Sequence, residues 1–115
     1  MDAATDRNAT PLYVAAQKGY LDIVKFLVEN GANINHQFEN GYTPLHVAIC
    51  EDHSSVAEYL IKNGADVGII SHKGETTIES AMIKADANLV KLIYEHCKNL
   101  KILWFVKAKA AGFNL

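Results

Sequence analysis

A repeat period of 33 constrains this chain more than any other feature. Gly41-Tyr42-Thr43-Pro44-Leu45-His46-Val47-Ala48 has a counterpart one period earlier in Thr10-Pro11-Leu12-Tyr13-Val14-Ala15, and a worn one a period later in Thr76-Thr77-Ile78-Glu79-Ser80-Ala81. Within each copy the chemistry is that of a helix start. A threonine hydroxyl can accept from the backbone N–H groups that a helix leaves unpaired. A proline at the first helical position brings a suitable φ and lacks only an N–H that would have gone unused. Gly41, two positions ahead of the cap, supplies the backbone freedom of a tight turn. Leu45 and Ala48, three apart, share one helical face.

Each start is followed by a second amphipathic stretch. A first helix is expected at 11–18, a turn at Gly19, and a second helix at about 21–30 with Ile23, Val24, Leu27 and Val28 inward. Gly31 would end that helix in a left-handed conformation, and Ile34 would point inward from the arm that follows. The register repeats at 44–51 and about 54–63, with Val56, Ala57, Leu60 and Ile61 inward and Gly64 closing. Aligned on this period, the first two units are identical at nine positions, and all but one asparagine fall to capping, turn or core roles. Packing, and not a shared catalytic task, accounts for that distribution.

The third unit departs from the pattern. Thr77 replaces the proline, Glu79 the histidine, Ala85 the turn glycine and Cys97 the closing glycine, while Leu89, Val90, Leu92 and Ile93 keep an inward set. Its helices are still expected to form, and it reads as a closing repeat. After it the period lapses. Leu100, Leu103, Trp104, Lys107 and Ala111 fall at helical spacing and predict a C-terminal capping helix at about 99–111.

The Thr-Pro-Leu-His-x-Ala motif at a period of 33 resembles the ankyrin-repeat family over nearly the whole chain. The resemblance implies an all-α solenoid of stacked helix-turn-helix units with short β-turn arms. Repeat 1 would take about 6–38, repeat 2 39–71 and repeat 3 72–98. It also implies structural roles for Thr10, Pro11, Gly31, Gly41, Thr43, Pro44, His46, Gly64, Gly74 and Thr76. His46 would make hydrogen bonds around the Thr-Pro turn.

Single units of this size cannot bury an apolar face alone, and stacking leaves an extended surface of turn tips and outward sides of the first helices. The resemblance implies that this surface binds a partner protein through exposed residues that vary within the family. Here these are Arg7, Gln17 and Lys18; Glu39, Asn40, Tyr42, Cys50 and Glu51; and Lys73, Glu75, Ile83 and Lys84. Asp6, Ala9, Gln37 and His72 belong to the same positions. Tyr42 is the favoured anchor, since tyrosine joins a large apolar area to a polar tip. An alternative is a scaffold fragment of a larger ankyrin protein that engages partners or a membrane surface through its basic C-terminal helix. Family members are also hydroxylated at an asparagine placed like Asn35, which would make the chain a substrate.

Charge narrows the partners. The net value of −2 divides into −6 over residues 1–97 and +4 over residues 98–115. The acidic repeat body argues against nucleic acid, and the absence of an apolar run of about 18 residues argues against a membrane span. The two cysteines, Cys50 and Cys97, sit in different registers and suggest a reducing compartment, cytoplasmic or nuclear. A monomer is expected.

Catalysis and cofactors find no footing. Five histidines show no C-x2-C or H-x3-H spacing, so neither a metal nor another cofactor is expected. Asp52-His53-Ser54 carries the letters of a hydrolytic triad, but three consecutive residues cannot adopt its geometry. Phosphate-binding loops, dinucleotide fingerprints and HExxH motifs are absent from the sequence. The chain is expected to be no enzyme.

Overall fold

The computed structural model describes residues 10–96. Within them lie six helices and no strand: α1 (Pro11–Lys18), α2 (Leu21–Glu29), α3 (Pro44–Cys50), α4 (Ser54–Lys62), α5 (Thr77–Ile83) and α6 (Ala87–His96). The predicted C-terminal helix at 99–111, with Cys97, falls outside the described residues. No described helix is long and apolar enough to cross a membrane.

The three repeat starts form as their chemistry dictates. Thr10, Thr43 and Thr76 are extended N-caps whose hydroxyls accept from Tyr13 N, His46 N and Glu79 N at 3.2, 3.3 and 3.3 Å. Where the proline is missing, the Thr77 hydroxyl donates instead to the buried carbonyl of Val67 at 2.9 Å. Where the histidine is missing, Glu79 accepts from the Thr76 hydroxyl at 2.8 Å. The third start is therefore rebuilt from different side chains and keeps its shape.

Each first helix stops in the same way. Gly19, Asp52 and Ala85 take left-handed φ values of 75°, 64° and 57°. The next N–H then reaches back to a helix carbonyl: Tyr20 to Ala15, His53 to Ala48 and Asp86 to Ala81, at 3.0, 2.8 and 3.1 Å. The turn at Ala85 thus closes without glycine. The second helices give way at Asn30 and Asn63, within a residue of the predicted limits. Each side-chain amide donates to the carbonyl four positions back, Phe26 at 2.7 Å and Tyr59 at 2.9 Å. This gives the shared asparagine, which sequence pattern left without a role, a place at the C-cap.

The helices stack in two rows. α1 packs on α3 and α3 on α5, while α2 packs on α4 and α4 on α6, and each unit closes through its own helical pair. Leu12, Leu45 and Ile78 occupy one repeated position and are fully buried, as are Ala48 and Ala81 three positions on. Leu27, Leu60 and Ile93 are buried from the second row. Each such leucine or isoleucine contributes about 1.5–3 kcal/mol of burial. α3 is enclosed most completely, with every residue from Pro44 to Ile49 buried.

The inward sets need correction at the ends of the stack. Val56, Ala57, Leu60 and Ile61 of the middle unit are all buried, whereas Ile23 is half exposed and Val28 only half buried. Leu92 is likewise half buried. A helical face is fully covered only where a neighbouring pair stands on that side. Ile34 packs partly buried against the core from its arm.

Candidate interaction surface

The arms between units turn tightly and lean on one another. Gly41 N donates to Phe38 O and Gly74 N to Ser71 O, at 2.9 and 3.0 Å, and His72 N joins the two arms by donating to Asn40 O at 3.0 Å. Gly41 has φ 85°, and a Cβ there would stand 2.6 Å from His72 N, so the neighbouring arm demands a glycine on two counts. Side chains fix the tips: Asn40 Oδ1 accepts from Tyr42 N at 2.9 Å, and Ser71 Oγ accepts from Lys73 N and Glu75 N at 3.3 and 3.1 Å. Farther from the tips, Asn35 Oδ1 accepts from Asp66 N at 2.8 Å, so the asparagine weighed as a hydroxylation substrate ties two successive arms together.

Beneath the tips lies a half-buried polar cluster that crosses from the second unit to the third. Tyr42 Oη donates to Glu75 Oε2 at 2.8 Å, and Cys50 Sγ lies 3.8 Å from Tyr42 Oη. The Tyr42 ring stacks on His46 with centroids 5.3 Å apart. Burial first, and the Glu75 and Cys50 hydrogen bonds next, push the Tyr42 phenol well above its usual range. One unit back, Tyr13 stacks on Phe38 at 4.6 Å, and burial raises its phenol too.

His46 is fully buried. Its Nδ1 accepts from Thr43 N at 3.2 Å and lies 2.8 Å from Thr43 Oγ1, completing a reciprocal cap. The ring so placed caps the start of α3. Its Nε2 is buried without a hydrogen bond of good geometry, and the main chains of Glu75 and Ile69 lie near the ring. Burial lowers the imidazole pKa, more strongly than the nearby Glu75 and Ile69 raise it.

The candidate contact residues consequently divide. Gln17, Lys18, Glu39, Asn40, Glu51, Lys73, Ile83 and Lys84 are exposed, and Ile83 most of all at 82%. Tyr42, Cys50 and Glu75, expected to be exposed, are half buried because they satisfy one another. Arg7, with Asp6 and Ala9, lies outside the described residues. Lys84 Nζ sits 3.5 Å from Asp52 Oδ2, and His53 Nε2 donates to Gln17 O at 3.0 Å. Sequence pattern did not single out Asp52 and His53 as contacts between units. The signal available was their placement one period on from Gly19 and Tyr20, beside each turn. Among the described residues, no group of three or more His, Cys, Asp and Glu could hold a metal ion.

Comparison with known proteins agrees with this architecture. A family model described as ankyrin repeats (3 copies) matches residues 1–71, more than half of the chain. The matched range stops short of the third unit, whose motif residues depart most. A stretch of 33 residues is 54% identical to part of the "Ankyrin repeat domain-containing protein OPG015" of monkeypox virus. That match covers 29% of this chain and 8% of the viral protein, so the chain spans only a small part of that relative's length.

Proposed function

The chain belongs to the ankyrin-repeat family, and from that premise we propose that it is a monomeric, non-enzymatic module that binds a partner protein on its arm tips and first-helix row. Ankyrin repeats are in general protein-interaction modules, and the family is typically non-enzymatic. In this reading the repeats run about 6–38, 39–71 and 72–98, followed by a helix at 99–111. The module works in the cytoplasm or nucleus, without nucleic acid, membrane or cofactor.

The observation that carries the reading is the exposure of Ile83. It occupies the same repeat position as Gln17 and Cys50, at the end of the first helix of its unit. It is 82% open to water at the end of α5 and gives the largely polar row an apolar contact point. Glu39, Asn40, Glu51 and Lys73 on the same surface supply a polar border of both charges, the composition of an interface rim. Tyr42 serves this surface from below: locked to Glu75 and Cys50, it holds two arms at a fixed separation so that the tips above need no ordering on binding.

A photo-crosslinking amino acid placed at Ile83 or Gln17 should capture a partner protein, whereas the same group at Lys62 or Lys91, on the second-helix row, should not. Ile83→Glu should weaken the captured partner's binding at least tenfold, corresponding to about 1.4 kcal/mol. Equal capture from both rows, or undiminished binding by Ile83→Glu, would move the interface elsewhere.

A further inference from the structure

One repeat position on the first-helix row alternates in charge. Lys18, Glu51 and Lys84 stand a period apart, each at or just past the last residue of its unit's first helix, and all three are exposed. Because α1 packs on α3 and α3 on α5, the three form a line across the stack, basic, acidic and basic in turn. Their neighbours reinforce the order. Asp52 adds a second exposed carboxylate in the middle, and Lys73 a second exposed cation on the arm of the third unit. Ile83, next to Lys84, is the apolar member.

The middle of the line rests on a fixed floor. The buried Tyr13 ring stacks on Phe38, and the Asn40 side chain from the arm tip hydrogen-bonds the Tyr13 side chain, with Cys50 and Glu51 nearby. The arm tip and the end of α3 are thus gathered about one buried ring. Pairing within the chain leaves the pattern available. Lys84 Nζ meets Asp52 Oδ2 at 3.5 Å with side chains 36% and 70% exposed, a solvated contact that a closer carboxylate can replace at little cost.

The spacing selects the shape of the occupant. Packed helices lie about 8–10 Å apart, and an extended chain rises about 3.3 Å per residue, so one step of the stack equals about three extended residues. A helix rises about 1.5 Å per residue and would have to order roughly fourteen residues where an extended segment orders about seven.

We infer that the row takes an extended protein segment carrying an acidic, a basic and an acidic side chain at three-residue intervals, opposite Lys18, Glu51 and Lys84. The basic residue faces Glu51 and Asp52, and an apolar residue beside one of the acids covers Ile83. This inference rests on the proposed binding row and narrows its partner, since a like charge at any of the three steps is repelled.

The experiment is selection from a displayed library of random sixteen-residue peptides on the immobilised full chain. It is repeated on Glu51→Lys and on the triple reversal Lys18→Glu, Glu51→Lys, Lys84→Glu. Peptides enriched on the parent should share acid-x-x-base-x-x-acid. Glu51→Lys should change only the middle preference, to acid, and the triple reversal should select base-x-x-acid-x-x-base. The substituted positions are exposed, so denaturant midpoints should stay near that of the parent. A parent-selected peptide should bind the parent at least tenfold more tightly than the triple reversal at low salt. That ratio should shrink toward one in about 1 M salt, where charges are screened beyond about 3 Å. Charges spaced by six or seven residues would assign a helical partner and overturn the extended one. Enriched peptides without charge order, or no enrichment at all, would overturn the inference outright. Peptides that ignore the reversals but are lost on Ile83→Glu would sink the charge order and leave the binding row standing. Peptides indifferent to the reversals and to Ile83→Glu alike would remove both.

Discussion

At the scale of single residues, His46 couples the fold to pH. Its ring is enclosed and acts as an acceptor at Nδ1, a role that only the uncharged imidazole can fill. Burial places its folded-state pKa below the ordinary 6.5, so between the two values the unfolded chain binds more protons than the folded one. The groups facing it, the Glu75 main chain and carboxylate and the Ile69 main chain, oppose this shift without reversing it. The His46 contribution to stability should therefore be level above about pH 6.5 and fall as pH drops below that value, by at most about 1.4 kcal/mol per pH unit. Urea unfolding of the parent and of His46→Gln across pH 5–8 checks it. The variant should be weaker at neutral pH and should lack the His46 share of the slope.

At the scale of elements, the turns between paired helices show what could be read in advance. Gly19 and its successor one period on, Asp52, announce a left-handed residue, because glycine and aspartate visit that region more readily than others. Ala85 gives no such signal, yet it takes φ 57° because the helices on either side require the same turn. Tertiary demand overrides residue preference there. Ala85→Gly should accordingly raise stability by about 0.5–1 kcal/mol, and Gly19→Ala should lower it by about 1–2 kcal/mol. The added methyl of the latter would also stand 2.6 Å from His53 Nδ1 and displace the ring from Gln17 O. Thermal unfolding of both variants decides the signs. The helices and their caps were legible because their determinants lie close together along the chain. The cluster of Tyr42, Cys50 and Glu75 was not, since its central bond crosses a full period through side chains that differ from unit to unit. Tyr42 thus resembled a free anchor in sequence, whereas in the structure its hydroxyl donates to Glu75 one full period on.

At the scale of the whole molecule, order along the chain and order in space coincide over the described residues, because each helical pair packs on the next. The same substitution should then cost different amounts by location. Leu45→Ala, in the central pair, should destabilise by about 3–5 kcal/mol, and Leu12→Ala by nearer 2–3 kcal/mol, where one flank is open to relax. Denaturant midpoints of the two variants measure the difference. Because α3 is walled in on both sides, it is the keystone of the three courses among the described residues. A protease that attacks only slackened polypeptide should clip a Leu45→Ala protein ahead of residue 44 and behind residue 62 at similar rates, since with the middle course loosened neither remaining course has anything to rest upon.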